Sequence, residues 1–189
     1  MFGASYQTKI WMSEFDDYAG LFAENGDFDI PSTATIGVST KATDALTIAF
    51  DVQWIGYSDI TSIANPVVPN FFNSQLGMSN GGGFGWDDMT VYKLGFAYDT
   101  SESSTWRFGF STTEQPVGSD DVLFNIVAPG VVENHFTVGY SAKTSSGNGW
   151  SVSGMYAPSV SVSGGNPMDP AQMIELSMDQ FELEFSYSF

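Results

Sequence analysis

Residues 181–189 read FELEFSYSF. Phe181, Leu183, Phe185, Tyr187 and Phe189 are apolar or aromatic, and Glu182, Glu184, Ser186 and Ser188 between them are polar, so the period is two without a break. Successive side chains of a strand point to opposite faces, which makes this a strand with one apolar and one polar face. It also ends on an aromatic residue. A transmembrane β-barrel requires a closing strand with an aromatic at the bilayer interface, whereas the termini of a soluble sandwich trail into polar residues. The stretch predicts an all-β chain, a transmembrane antiparallel β-barrel.

The same alternation recurs upstream. A first strand is expected from Phe2 to Met12, with Ala4, Tyr6 and Ile10 on one face and Ser5, Gln7 and Lys9 on the other. A long loop to Pro31 precedes Ala34, Ile36 and Val38, and a KATDA turn leads into Leu46, Ile48, Phe50, Val52 and Trp54. After a second long connection, Tyr92, Leu94, Phe96 and Tyr98 are separated by DTSES from Trp106, Phe108 and Phe110. A third long loop precedes Phe136, Val138 and Tyr140, and a TSSGNG turn gives Trp150, Val152 and Tyr156. A fourth long loop is expected before the closing strand. Residues 1–189 thus read as a single transmembrane β-barrel region of about eight strands, each about ten residues long and able to cross a bilayer when tilted. Long and short connections alternate, as the extracellular loops and periplasmic turns of outer-membrane barrels do.

Composition narrows the function classes. Hydrophobic residues make up 42% and aromatics 15%, yet no run approaches the ~18 consecutive apolar residues of a membrane helix. The absence of cysteine rules out disulfides, thiol catalysis and cysteine metal sites. A net charge of −17, from 22 acids and 5 bases, argues against nucleic acid or an anionic membrane surface as a partner. Most of the acids fall in or beside the long loops. Lys41 and Lys143 lie at short turns, while Lys9, Lys93, Arg107 and His135 share the polar strand face with Asp51, Glu182 and Glu184. A base on the lipid face near the midplane costs about 2–4 kcal/mol, so this set is expected to face the lumen, where opposite charges can pair. Trp54, Tyr92, Phe96, Phe108, Phe136, Trp150 and Phe185 are expected to face lipid. The opening MFGASYQTK has no basic segment, apolar stretch or cleavage site of a secretory signal, so further sequence is expected upstream.

Few residues suggest covalent chemistry. His135 could orient a nucleophilic serine, as a barrel lipase needs, but no GxSxG elbow singles one out, and it reads as a lumen or rim residue. No catalytic residue, metal ligand or cofactor is assigned. GGGFGW (81–86) lacks the Lys-Ser/Thr of a phosphate loop and reads as a flexible surface loop. The acidic pairs EFDD, GDFD and SDD lack EF-hand spacing. They read as solvated, or as loose divalent bridges to lipopolysaccharide phosphates.

The loops also carry apolar patches that water-facing loops do not normally show. Leu21 and Phe22 form one, Val67, Val68, Phe71 and Phe72 a second, and residues 122–132 a third. Either they pack on one another as a cap, or they offer a landing surface for an apolar ligand. If the register of the last strand continues upstream past Gln180, Met178, Leu176 and Ile174 point inward at the mouth. The alternatives are a short helix begun by Asp169 and Pro170, or a bulge that inverts the parity.

The strings YAGLFAENGDFDIP (18–31), GWDDMTVYKLGFAYD (85–99), WRFGFSTTEQP (106–116) and VLFNIVAPGVVENHFTVGYS (122–141) resemble the FadL-type long-chain fatty-acid transporters, a family that includes aromatic-hydrocarbon channels. The resemblance spans nearly the whole chain and corresponds to the last eight strands of such a protein. It implies a fourteen-stranded barrel in a bacterial outer membrane, plugged by an N-terminal hatch, of which the hatch and about six strands lie outside these residues. It further implies that hydrophobic cargo is captured at extracellular loops and leaves through an opening in the wall. By position, YAGLFAENGDFDIP corresponds to a capture loop whose apolar members are Leu21, Phe22 and Phe28; Leu123, Phe124 and Ile126 join them as candidates. The expected function is diffusive uptake of long-chain fatty acids or other hydrophobic compounds without a cofactor. The expected partners are membrane lipid, lipopolysaccharide and the cargo itself. A small structural or adhesive barrel and a lipid-modifying barrel enzyme are the alternatives.

Overall fold

Each alternating segment finds its neighbour in chain order. The computed structural model describes all 189 residues and holds one sheet of eight antiparallel strands. They are β1 (Phe2–Gln7), β2 (Ser32–Lys41), β3 (Leu46–Gly56), β4 (Met89–Ser101), β5 (Ser104–Thr112), β6 (Asn134–Lys143), β7 (Gly149–Asn166) and β8 (Asp169–Ser188). Each pairs with the next, and β1 and β8 stand at the two ends of the sheet without pairing with each other. No helix is long and apolar enough to cross a membrane.

Directly opposed residues share a face, so the ladder registers sort the side chains. Asp51 lies opposite Lys93, Lys93 opposite Ser111, and Ser111 opposite His135. Arg107 lies opposite Gly139, which faces Ser153, which faces Glu184; Glu182 joins the same face through Met155 and Thr137. The other face carries Ile48, Phe96, Phe108, Val138 and Leu183 along one row and Phe110, Phe136, Tyr156 and Phe181 along another. That face is bare: Phe108 is 49% exposed and Phe181 75%. Apolar surface costs about 25 cal/mol per Å² in water, a cost that hydrocarbon removes.

The charges of the polar face do not pair as expected. Lys93 Nζ donates to Gln53 Oε1 at 2.7 Å rather than to Asp51, and Arg107 Nη1 donates to Ser141 Oγ at 2.6 Å. Glu182 and Glu184 stand on β8, strands away from either base. The one ion pair is Lys9–Asp29, at 3.0 Å.

Two expected elements differ. The first strand stops at Gln7, paired with Thr33, and only an isolated Ile10–Ile30 bridge continues it. Lys9 therefore leaves the strand face and turns to Asp29 of the first long loop. The fourth long loop does not exist as a loop: β7 and β8 run on as a hairpin of 18 and 20 residues. Asn166 Oδ1 accepts the Met168 N–H at the tip, and Asp169 Oδ1 accepts the Ala171 N–H, so Asp169 braces the turn and does not open a helix. The parity of β8 continues unbroken. The bulge lies in β7, where Ala157 faces Gln180 and Val160 faces Met178. Three steps on β7 match two on β8, and the extra residue reverses β7. Val160, Val162 and Gly164 thereby join Met178, Leu176 and Ile174 on the polar-face side. Pro158, which has no N–H to donate, sits where the ladder is already interrupted.

The buried core lies in the loops. Ile60, Ile63, Val67, Phe84, Val117, Val122 and Val131 are buried there, with Leu176 of the hairpin. Val117, Val122, Val131 and Leu176 form one cluster, flanked by Trp86, Val162, Ile174 and Met178. Gly164 lies against the Ser119 carbonyl, where a Cβ would collide. The loops 8–31, 57–88 and 113–133 thus pack as a cap on the inner side of the hairpin, over one end of the polar face.

Candidate functional site

The cap is assembled by three loops, each held by a few buried polar groups. In the first loop, Asp29 is 4% exposed and accepts the Met12 N–H at 2.8 Å as well as pairing with Lys9. Burial works against its charge, but the Met12 N–H and the Lys9 ammonium outweigh it and hold the carboxyl below its usual range. Asp27 beside it is pushed up by burial and by the charge of Asp29. Glu24, Asn25 and Gly26 turn left-handed, and a Cβ at Gly26 would come 2.6 Å from the Phe15 carbonyl oxygen. This turn follows Phe22 after a single residue, the buried Ala23.

The second loop contains the glycine run. The Asn65 carbonyl accepts N–H groups from Gly83 and Gly85, and the Trp86 N–H donates to Ile63. Asn65 Nδ2 donates to the carbonyls of Ser79 and Gly81. A Cβ at Gly83 would stand 2.7 Å from the Ser62 carbonyl oxygen. Gly81 to Phe84 are buried, so GGGFGW is not a surface loop. Its glycines admit close backbone approach, and they deliver Phe84 to the middle of the cap.

The third loop is latched by Asn125 and Asp121. Asn125 is fully buried, donates to the carbonyls of Phe84 and Asp121, and accepts the Trp86 indole N–H. Asp121 Oδ1 accepts the Val67 N–H at 2.6 Å. Burial pushes the Asp121 carboxyl up, helped by the charges of Asp120 and Asp87 and opposed by that N–H.

Aromatic rings then meet across the loops. Phe22 and Phe28 have centroids 5.1 Å apart, Phe28 meets Phe84 edge-on at 6.0 Å, and Phe71 meets Phe124 edge-on at 6.0 Å. Between them lies a cavity of about 300 Å³, lined by Leu21, Phe22, Ser62, Phe71, Gly82, Gly83, Phe84, Leu123, Phe124, Val127 and Met168. None of these is charged. A second cavity of about 370 Å³ is lined by Phe28, Asp29, Ile30, Pro31, Tyr57, Ile63, Phe84, Trp86 and Ala128. Phe84 borders both.

Leu21, Phe22, Leu123 and Phe124, from two loops, thus share one cavity. Phe28 lines the other, and Ile126, 54% exposed, lines neither. Ser62, Phe84 and Met168 were not singled out by sequence as cavity residues, Val127 was read only within the apolar run 122–132, and GGGFGW, whose glycines flank Phe84, was read as a flexible surface loop. His135 lies half-buried on the polar face opposite Ser111. No three acidic or histidine side chains come together in a way that could hold a metal ion.

Solved structures share this architecture. The crystal structure of the P. putida toluene transporter TodX aligns with a TM-score of 0.59 at 17% identity, over 86% of this chain and 35% of that one. A Pseudomonas aeruginosa FadL homologue aligns with a TM-score of 0.60 at 13% identity, over 98% of this chain and 47% of that one. The chain has the FadL-type fold. It spans between a third and a half of the length of these FadL-type structures. A variant of TodX described as a monoaromatic hydrocarbon channel aligns with a TM-score of 0.61 at 19% identity. No protein-family model and no curated protein matches the sequence.

Proposed function

We propose that these residues form part of the wall and cap of a bacterial outer-membrane channel through which hydrophobic compounds enter by diffusion. The observation that carries this reading is the uncharged, aromatic cavity held at the mouth by Leu21, Phe22, Phe71, Phe84, Leu123 and Phe124. An apolar molecule leaving water for such a cavity gains roughly 25 cal/mol per Å² of surface buried, with no bond made or broken. The second cavity across Phe84 offers the next resting place. Lipid and lipopolysaccharide cover the apolar outer face, and further strands complete the wall by pairing with the free edges of β1 and β8. Open edges do not face hydrocarbon, because each unpaired backbone group there costs several kcal/mol.

Replacing Leu21, Phe22, Leu123 and Phe124 together by serine in the membrane-inserted protein is expected to weaken uptake of a hydrophobic tracer while the barrel still assembles. Unchanged uptake would leave these residues as packing only.

A further inference from the structure

The cap carries charge of almost one sign. Residues 8–31 hold six carboxylates, residues 57–88 three and residues 113–133 four, against a single base, Lys9. That base is already paired with Asp29 at 3.0 Å. The other four bases, Lys41, Lys93, Arg107 and Lys143, belong to strands of the sheet. The acids crowd one another at two separate places. Burial, and then the charges of Asp29 and Glu24, push the Asp27 carboxyl up, and burial with the charges of Asp120 and Asp87 does the same to Asp121. The larger of the two cavities, about 370 Å³, is walled by Phe28, Tyr57, Phe84 and Trp86, and its one charged lining residue is again an acid, Asp29. The smaller has no charged lining residue.

We infer that the cap selects its cargo by charge: it admits apolar molecules bearing an ammonium group, seated in the larger cavity, and turns away molecules with the same apolar body and an anionic group. This rests on the capture reading above and narrows its cargo. Two effects act in the same direction. At the rim, uncompensated carboxylates gather cations and repel anions; a cleft of one sign raises the local concentration of the opposite ion about 10- to 1000-fold, within a screening length of about 8 Å at physiological salt. In the cavity, aromatic rings attract a desolvated quaternary ammonium, whereas a desolvated carboxylate or sulfonate finds rings and an acid and no free base, so its charge is buried without compensation. The apolar chain contributes equally to both ligands, so the sign of the head group decides between them.

The test uses one eight-carbon chain with three head groups, octyltrimethylammonium, octan-1-ol and octane-1-sulfonate. Each is radiolabelled and measured for saturable binding to the membrane-inserted protein in phosphatidylcholine nanodiscs, with binding to protein-free nanodiscs subtracted. At low salt the ammonium is expected to bind at least about tenfold tighter than the sulfonate, the low end of the effect of a one-sign cleft. The ratio should shrink at about 0.5 M salt, where the screening length falls to roughly 4 Å. Asp16, Asp17, Asp87 and Asp120 are exposed, and their carboxylates make none of the hydrogen bonds that hold the cap. Asp16→Asn, Asp17→Asn, Asp87→Asn and Asp120→Asn together should lower the ratio severalfold; a change in the cavity itself would act on both ligands alike. The comparison on the unmodified protein requires no variant to fold. Saturable octan-1-ol binding with no advantage of ammonium over sulfonate, a ratio indifferent to salt, or a ratio unchanged in the fourfold variant would each overturn the inference while leaving capture standing. Absence of saturable binding by all three would overturn the capture reading itself, and this inference with it.

Discussion

Trp86 donates its indole N–H to Oδ1 of Asn125 at 2.6 Å, joining two loops whose residues lie 39 positions apart. The same amide donates to the carbonyls of Phe84 and Asp121. One buried side chain therefore satisfies groups from both loops and fixes the wall shared by the two cavities. A fully satisfied network of this kind specifies a single arrangement, and a half-satisfied one is costly.

Asn125→Leu keeps the approximate volume but strands the Trp86 N–H and the Phe84 carbonyl, at about 1–3 kcal/mol for each group left unpaired. Limited proteolysis is expected to cut residues 113–133 faster in this variant, with the strand content by circular dichroism unchanged. Equal cutting rates would show that apolar packing alone holds the cap.

Two carboxyls give the cap opposite responses to pH. The Asp29 carboxyl is held below its usual range, so its contribution is present above the unfolded value of about 4 and is lost as pH falls through the lower folded value. The Asp121 carboxyl is pushed up, so its contribution is complete below about 4 and is lost as pH rises through the higher folded value. Hydrogen exchange of the loops should show Asp121→Asn flattening the second dependence while its side-chain oxygen still accepts the Val67 N–H. Asp29→Asn should loosen residues 8–31 already at neutral pH. Identical pH profiles for the two variants would contradict the assignment.

The bulge between Ala157 and Val160 sets which side of β7 meets the cap. Deleting Ser159 restores simple alternation and turns Val162 and Gly164 away from the third loop. Gly164→Val tests the same contact without changing register, because any Cβ there meets the Ser119 carbonyl. Both changes are expected to raise the proteolytic sensitivity of residues 113–133, and a Gly164→Val protein as resistant as the parent would count against the contact.

The two faces of the sheet should differ in contact with lipid. Spin labels at Phe96, Phe108, Phe136 and Phe185 are expected to be relaxed by a lipid-soluble quencher, and labels at Asp51, Lys93, Arg107 and Glu184 by a water-soluble one. Phe108→Arg is expected to cost about 2–4 kcal/mol of folding stability in vesicles, and Ser111→Arg on the opposite face far less. Equal accessibility of the two sets would reject the orientation.

Most of the strand positions, and the alternation of their faces, were legible in the sequence because the side-chain period of a strand is two whatever it pairs with. That is why FELEFSYSF, read alone, sorts Phe185 from Glu184, and why β2 to β6 lie where alternation placed them. The outer hairpin was not legible. SVSVSGGNPMDP is small, polar and glycine-rich, so it reads as loop, and it becomes strand through pairing with residues 169–180 and packing against the third loop. Lys9 shows the same limit from the other side: alternation continues past Gln7, but a buried carboxylate claims both the Met12 N–H and the Lys9 ammonium. The sequence also named Leu21, Phe22, Leu123 and Phe124 as misplaced apolar residues for loops. That they share a cavity with Phe84 and Ser62 was decided only in three dimensions, because hydrogen bonds such as those of Asn125 to Trp86 and Phe84 join residues far apart in the chain, and such contacts leave no periodic trace in the sequence.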